Sequence, residues 1–355
     1  MRAMRILFIS GREPTYQRNR VILKGLRRNE VEVNECTSLL GSYLLRYPEV
    51  LLKFLRRRSY DLLFVGFFGQ PLVPLLRKFV GKPVLFDAFL SAYDTLCFER
   101  KMIPPDSVVG RILYQLDKRS CEFADTVLLD TNSHIDFFVE AFGLKKSKFR
   151  RLLVGADEDI FFPRMSEEHE GFQVLYYGTF RPLQGIEYVV EAAKLLESHK
   201  DIRFKIIGKG VAYARIIQLV RRLSVSNISF VDKVAYEALP YEIAQADICL
   251  GGHFSNLSKA QRVIAGKTFQ MIAMKKPIIV GDTPANRELF SSRENALMPD
   301  CGNGASLAEA IVEMYENEDL RDKLARNAYA TFLKFCTTQA IGNEMKNIAA
   351  KLLAD

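Results

Sequence analysis

A two-domain α/β protein built on parallel sheets is predicted by three features of the sequence. Short apolar runs at residues 5–10, 61–66, 174–178 and 204–208 are each followed by a turn, and most by a helical pattern. That order suits strands buried on both faces of parallel sheets. The 355 residues suffice for two cores, and a polar stretch at residues 164–171 separates two sets of such repeats. The third feature is residues 254–290, where a polar segment leads into a helix over 268–274. Lys275 and Lys276 close that helix at the negative end of its dipole, Pro277 stops it, and Ile278-Ile279-Val280 reads as a buried strand.

Composition narrows the class. With 48% hydrophobic and 26% charged residues the chain is globular, not disordered. The net charge of +8 lies in the first half: residues 1–165 hold 27 Lys and Arg against 19 Asp and Glu, whereas residues 166–355 hold 23 of each. That asymmetry points to an anionic surface or ligand facing the first domain. Six cysteines without a C-x-x-C read as reduced thiols of a cytosolic protein, and four dispersed histidines offer no metal-ligand spacing. Residues 5–10 are too short for a signal-peptide core. The apolar run 62–76 is broken by Gly66, Gly69, Gln70, Pro71 and Pro74 and does not read as a membrane span.

In chain order, the strand at 5–10 ends at Gly11-Arg12, and a helix follows over 16–28. This first turn places Gly11 and Arg12 at the carboxyl edge of the sheet, where ligands approach. A second strand is expected at 31–35. Residues 38–58 mix leucines and aromatics with Arg46, Lys53, Arg56, Arg57 and Arg58, an amphipathic basic element suited to a membrane surface. The next strands end at Gly66 and at Asp87, the latter followed by a polar segment to Asp94. Asp87 and Asp94, at and beyond the carboxyl end of a strand, are candidate ligand contacts. Residues 124–134 form a strand and turn in which Ser133 is expected to cap a helix and His134 to lie on the surface. In the second half, Gly178, Arg181, Gln184 and Gly185 lie in a strand–turn–helix unit. Strands at 204–208 and 228–234 follow, then helices at 305–315, 320–334 and 337–353. Lys267, Thr268 and Gln270 stand at a helix start, where unpaired N–H groups favour an anion. An ordinary loop–helix–strand unit explains the same residues.

The run K-T-F-Q-M-I-A-M-K-K-P-I-I-V-G-D from Lys267, followed by N-R-E-L-F, resembles the nucleotide-sugar signature of glycosyltransferase family 4. The resemblance extends to Gly155-Ala-Asp157-Glu-Asp159-Ile-Phe-Phe-Pro163 before the linker and to Gly178 through Gly185. It implies a GT-B fold: two Rossmann-like domains facing across a cleft, residues 1–165 holding the acceptor and 171–335 the donor, with residues 336–355 a helix crossing back to the first domain. It implies retaining, metal-independent sugar transfer from a UDP- or GDP-linked donor as substrate, with no cofactor. The acceptor would be a glycan or a lipid-linked precursor, and nucleic acid is not among the expected partners. The expected location is cytoplasmic, at the inner face of the plasma membrane. Arg181 and Lys267 would hold the donor diphosphate and, with Asp87 and Asp94, make up the catalytic set. Donor contacts would come from Gly11, Arg12, Gly178, Gln184, Gly208, Val231, Asn256, Lys259, Arg262, Thr268, Phe269 and Gln270, with Gln270 on the ribose hydroxyls. The sequence departs from the signature at Gln184, where a lysine is usual, and at Arg262 and Gln270, where paired glutamates are usual. Those departures keep open a non-catalytic binding homologue. A nucleotide-sugar epimerase on the same fold is a further alternative, but the acidic and histidine groups it would need around the donor are sparse here.

Overall fold

A computed structural model of the protein describes residues 4–56 and 59–354. Arg57 and Arg58 of the basic element lie outside the described residues. The chain divides into two compact units, residues 1–155 with 337–355, and residues 156–336.

The first unit runs β1 (Arg5–Ile9), α1 (Gln17–Arg28), β2 (Glu32–Cys36), α2 (Tyr43–Leu55), β3 (Leu62–Val65), α3 (Leu72–Arg77), β4 (Val84–Asp87), α4 (Val108–Phe123), β5 (Thr126–Leu129), α5 (Asn132–Phe142) and β6 (Phe149–Arg151). Its six strands are ordered β2-β1-β3-β4-β5-β6, all parallel. β3, β4 and β5 are buried throughout, which explains their continuous apolar sequence. α2 is shorter than the basic stretch suggested and carries Pro48 inside it. Arg46, counted there among the surface cations, is buried and bonds to the carbonyls of Leu40 and Gly11. Thr131, not Ser133, caps α5 by accepting from the His134 N–H.

The second unit runs β7 (Phe172–Tyr177), α6 (Ile186–Leu195), β8 (Ile202–Ile207), α7 (Tyr213–Leu223), β9 (Ile228–Val231), α8 (Leu239–Ala244), β10 (Ile248–Leu250), α9 (Gly266–Ala273), β11 (Ile278–Ile279), α10 (Gly304–Glu316) and α11 (Glu318–Phe335). Its five strands are ordered β11-β10-β7-β8-β9, again all parallel. β7 and β8 carry Val174, Tyr176, Phe204 and Ile206 into a core completed by α6 and α10. Lys276 does more than complement a dipole: its Nζ donates to the carbonyls of Ala244 and Ala246 at the end of α8. The turn after β11 starts only a single 3₁₀ turn, Asn286–Glu288, not a longer helix.

The last helix, α12 (Thr338–Ala354), packs on α1. Two glycines set the approach. A Cβ on Gly25 would lie 2.2 Å from the Thr338 carbonyl oxygen, and one on Gly342 would lie 2.1 Å from the Gly25 backbone. Gly342→Val should therefore lower the unfolding free energy by about 3 kcal/mol, since backbone cannot yield as a flexible side chain does. Gly81→Ala, with nothing within 4 Å of the added carbon, should stay within about 0.5 kcal/mol of the parent. Urea unfolding followed by circular dichroism measures both, and equal midpoints for the two variants would refute the close crossing.

Candidate functional site

The strand order of the second sheet locates its crevice. From β7 the chain adds β8 and β9 on one side, then returns to lay β10 and β11 on the other, so the direction reverses between β7 and β10. At such a reversal the loops leaving two neighbouring strands part, opening a crevice at their carboxyl ends. Here those loops are Gly178 after β7 and Gly251-Gly252-His253 after β10. Gly178 and Gly252 both have positive φ, 152° and 72°. Each leaves backbone open beside a cation: a Cβ would stand 3.7 Å from Lys267 Nζ at Gly178 and 3.4 Å at Gly252. Gly208 seals the neighbouring turn, its α-carbon against the Gly178 carbonyl.

Lys267, in the first turn of α9, brings its Nζ beside both glycines. It is 7% exposed. Its Nζ lies 3.5 Å from the centroid of the Tyr176 ring and donates to Gln184 Oε1 at 3.1 Å. Tyr176 donates to that same oxygen, also at 3.1 Å. Loss of hydration pushes the Lys267 pKa well below its usual value, with no carboxylate to oppose the shift. The ring face and the amide stabilise the ammonium only in part. Gln184, where the resemblance expects a lysine, thus holds the lysine that is present.

The rest of the α9 start faces elsewhere. Phe269 is fully buried, and Thr268, equally buried, turns its hydroxyl onto the Gly251 carbonyl at 3.3 Å. Neither presents a side chain to a ligand. Gln270 is also buried: its Oε1 accepts from the Tyr177 hydroxyl at 2.7 Å, and its Nε2 lies 3.4 Å from the Tyr236 hydroxyl. The expected ribose contact is replaced by an internal amide–tyrosine net. A helix start read from sequence marks a place but not the face each side chain takes.

Around His253, a residue the sequence reading passed over, the structure gathers Lys267, Lys259 and Arg181. Arg181 is half-buried in the turn after β7, and no hydrogen bond or ion pair engages its side chain among the described residues. His253 is 4% exposed, and its Nδ1 is buried with no hydrogen-bond partner among the described residues. Burial first, then the charges of Lys267, Lys259 and Arg181, push its pKa down to about 3, so the imidazole is neutral. Its only sequence cue was its place after two glycines at a strand end. Asn256 is exposed and lies against Gly302, Arg262 is half-buried in the following loop, and Val231 ends β9 with its carbonyl bonded to the Gly208 N–H.

The first unit has the equivalent reversal between β1 and β3. Gly11 lies against the Phe68 carbonyl. Arg12 stacks 5.1 Å from the Tyr16 ring and pairs with Glu13 at 3.3 Å. Asp87, proposed for an acceptor, is fully buried: both of its oxygens accept from Arg18, Nε and Nη2 each at 2.7 Å. Desolvation favours the neutral acid, but the guanidinium stays charged and holds the carboxylate in a bidentate pair. Its function is internal. Asp94 is likewise buried, near Asp117, whose carboxyl is pushed up to about 6 by burial against the bonds from Ser91 and Tyr93. His134, expected on the surface, is 1% exposed, with Nδ1 2.7 Å from Asp130 Oδ1.

Residues 157–331, just under half of the chain, match the family model described as glycosyl transferases group 1. An uncharacterized glycosyltransferase of Methanocaldococcus jannaschii is 25% identical over 161 residues, which are 45% of this chain and 43% of that protein. An alpha-D-kanosaminyltransferase of Streptomyces kanamyceticus is 20% identical over 290 residues, 77% of this chain and 72% of that protein. Among solved structures, sucrose-phosphate synthase of Thermosynechococcus elongatus superposes with a TM-score of 0.79 at 14% identity, covering 99% of this chain and 100% of that one. Anabaena HepE in complex with UDP-glucose gives 0.71 at 16% identity, covering 98% and 100%. The fold is GT-B. Together the comparisons support a glycosyltransferase of that fold.

The amide–tyrosine net is open to a direct test in this GT-B chain. Gln270→Leu removes the 2.7 Å acceptor of the buried Tyr177 hydroxyl, leaving it the Lys267 carbonyl at 3.4 Å, and should cost about 1–3 kcal/mol of stability, whereas the double variant with Tyr177→Phe should cost less than the sum of the two single changes, because the pair is lost only once. Additive losses in thermal unfolding of the double variant would contradict the pairing.

Proposed function

We propose that the protein transfers a sugar from a UDP- or GDP-linked donor to an acceptor, with retention of configuration and without a metal in the site. The observation that carries this reading is the desolvated Lys267 beside the open backbone of Gly178 and Gly252 at the sheet reversal. A diphosphate there would receive Lys267, Arg181 and the N–H groups at the start of α9. As the sugar–phosphate bond breaks, negative charge grows on the departing diphosphate. Cations already fixed in place stabilise that charge without reorganising. HepE was solved with UDP-glucose, which makes UDP the first nucleotide to try.

Lys267→Met keeps the stem and removes the charge; it should weaken UDP or GDP binding by roughly 1.5–3 kcal/mol in calorimetry, as should Arg181→Ala. Unchanged affinity in both variants would displace the donor site. Turnover is scored by NMR of the product anomer. Binding without turnover would favour instead a non-catalytic homologue, a reading supported by Gln184, Arg262 and Gln270 standing where the resemblance has Lys, Glu and Glu.

The acceptor in this reading is a glycan or lipid-linked precursor presented at an anionic membrane. The support is the charge excess of the first 165 residues and the face of α2, where Leu45, Leu52 and Leu55 are exposed beside Lys53 and Arg56 while Val50 and Phe54 turn into the core. Among the described residues no helix is long and apolar enough to cross a membrane, so contact would be peripheral. Liposome flotation tests it: the parent should float with anionic vesicles, less so at high salt, and Leu45/Leu52/Leu55→Glu should abolish flotation. A parent that stays at the bottom of the gradient ends the membrane part of the reading.

A further inference from the structure

We propose that His253 is the proton acceptor of the donor site: binding of a nucleoside diphosphate in the crevice is coupled to uptake of a proton from solvent, and that proton settles on the His253 imidazole. The inference rests on the donor-site reading above and adds to it a residue and a linkage. Its basis is geometric. The imidazole is 96% buried, from 4% exposure, at the turn that follows β10, and its Nδ1 has no hydrogen-bond partner among the described residues. Buried polar atoms are nearly always paired, so an orphan at the edge of a crevice marks a bond completed by something absent.

The charged groups that act on the ring come from three elements: Arg181 from the turn after β7, Lys259 from the loop before α9, and Lys267 from α9 itself. The Cys301 thiol, whose own pKa burial pushes up, donates to the His253 carbonyl at 3.6 Å. No carboxylate is among the groups that shift the ring. Three positive charges and burial keep the imidazole neutral down to about pH 3. A bound diphosphate reverses the sign of that field, with Lys267 and Arg181 drawn onto its oxygens. The ring can then hold a second proton, with an Nδ1–H free to donate to the anion.

The sign of the linkage follows. The free site releases its proton below the pH at which the complex does, so binding takes up a proton in the interval between the two values. Above the pKa of the complex the uptake vanishes, and affinity therefore falls as pH rises through that value. Lys267, whose pKa is also depressed in the free site, is a second candidate source of uptake. The His253 variants and the histidine NMR signal separate the two sources.

The test is calorimetry of UDP binding to the full chain at pH 6, 7 and 9, each in two buffers of different ionisation enthalpy, for the parent and for His253→Asn and His253→Gln. The parent should take up between about 0.3 and 1 proton per UDP at pH 6, and the variants should lose most of that uptake and bind UDP several-fold more weakly at pH 6 than at pH 9 relative to the parent. In parallel, ¹⁵N-histidine NMR of the parent at pH 6 should show one of the four imidazoles passing from neutral to protonated on adding UDP, a readout that needs no variant. UDP binding with no proton uptake at pH 6, or equal uptake in the variants, overturns the assignment and leaves the donor site in place. Failure of UDP, GDP and ADP alike to bind overturns the donor-site reading and this inference with it.

Discussion

The second unit depends on one unsettled charge. Lys267 has lost most of its water and received in exchange a tyrosine ring face and one amide oxygen. Neither carries a negative charge, so desolvation is left largely uncompensated. An ammonium in that state gains more from an arriving anion than a hydrated surface lysine does, because it has little hydration left to lose. The geometry around it keeps the approach clear: positive-φ glycines on both sides, a helix start beneath, and a half-buried arginine across the turn.

The first unit shows the contrasting solution. Arg18 is buried more completely than Lys267, yet it meets Asp87 in a two-bond pair and the Leu152 carbonyl as well. That cation is satisfied by the protein, and at the neighbouring turn the Arg12 N–H donates to the Phe67 carbonyl while Gly11 lies against the Phe68 carbonyl. Both sheets reverse direction, and both place basic residues near the reversal. What separates a structural cation from a binding one is whether a carboxylate has been built opposite it. Asp87 ends its strand where a ligand contact would be expected, and only the arginine brought in from α1, 69 residues away, reveals its use.

The strand–turn–helix order was legible because parallel strands buried on both faces need long apolar runs, and glycine must follow where backbone turns tightly. Gly178 and Gly208, at the ends of β7 and β8, were placed on that basis. The facing of side chains at the α9 start was not legible. Thr268, Phe269 and Gln270 all turn inward, and local spacing at a helix end does not say which side the sheet will occupy. His134 and Arg46 were misjudged because each is polar in sequence and buried in the fold: His134 is held by Asp130 four residues before it, a pair whose burial the sequence does not show, and Arg46 by the Gly11 carbonyl 35 residues away. His253 was passed over because a lone histidine in a loop carries no spacing, and its meaning comes from three cations on three other segments.

The departures from the family signature can be argued as a set. Relative to that pattern the chain loses a lysine at Gln184, loses glutamates at Arg262 and Gln270, and gains the Arg262 cation, which leaves this region two charges more positive. Gln270 shows how the fold absorbs part of the change, since a neutral amide can share the buried space with the Tyr177 and Tyr236 hydroxyls where a carboxylate would have to be desolvated. With no glutamate at either position, on the proposed reading a donor anion would be the main negative charge for Lys267, Arg181 and Lys259 to meet. The same cations, with burial, keep His253 neutral, which on that reading ties its protonation to the ligand.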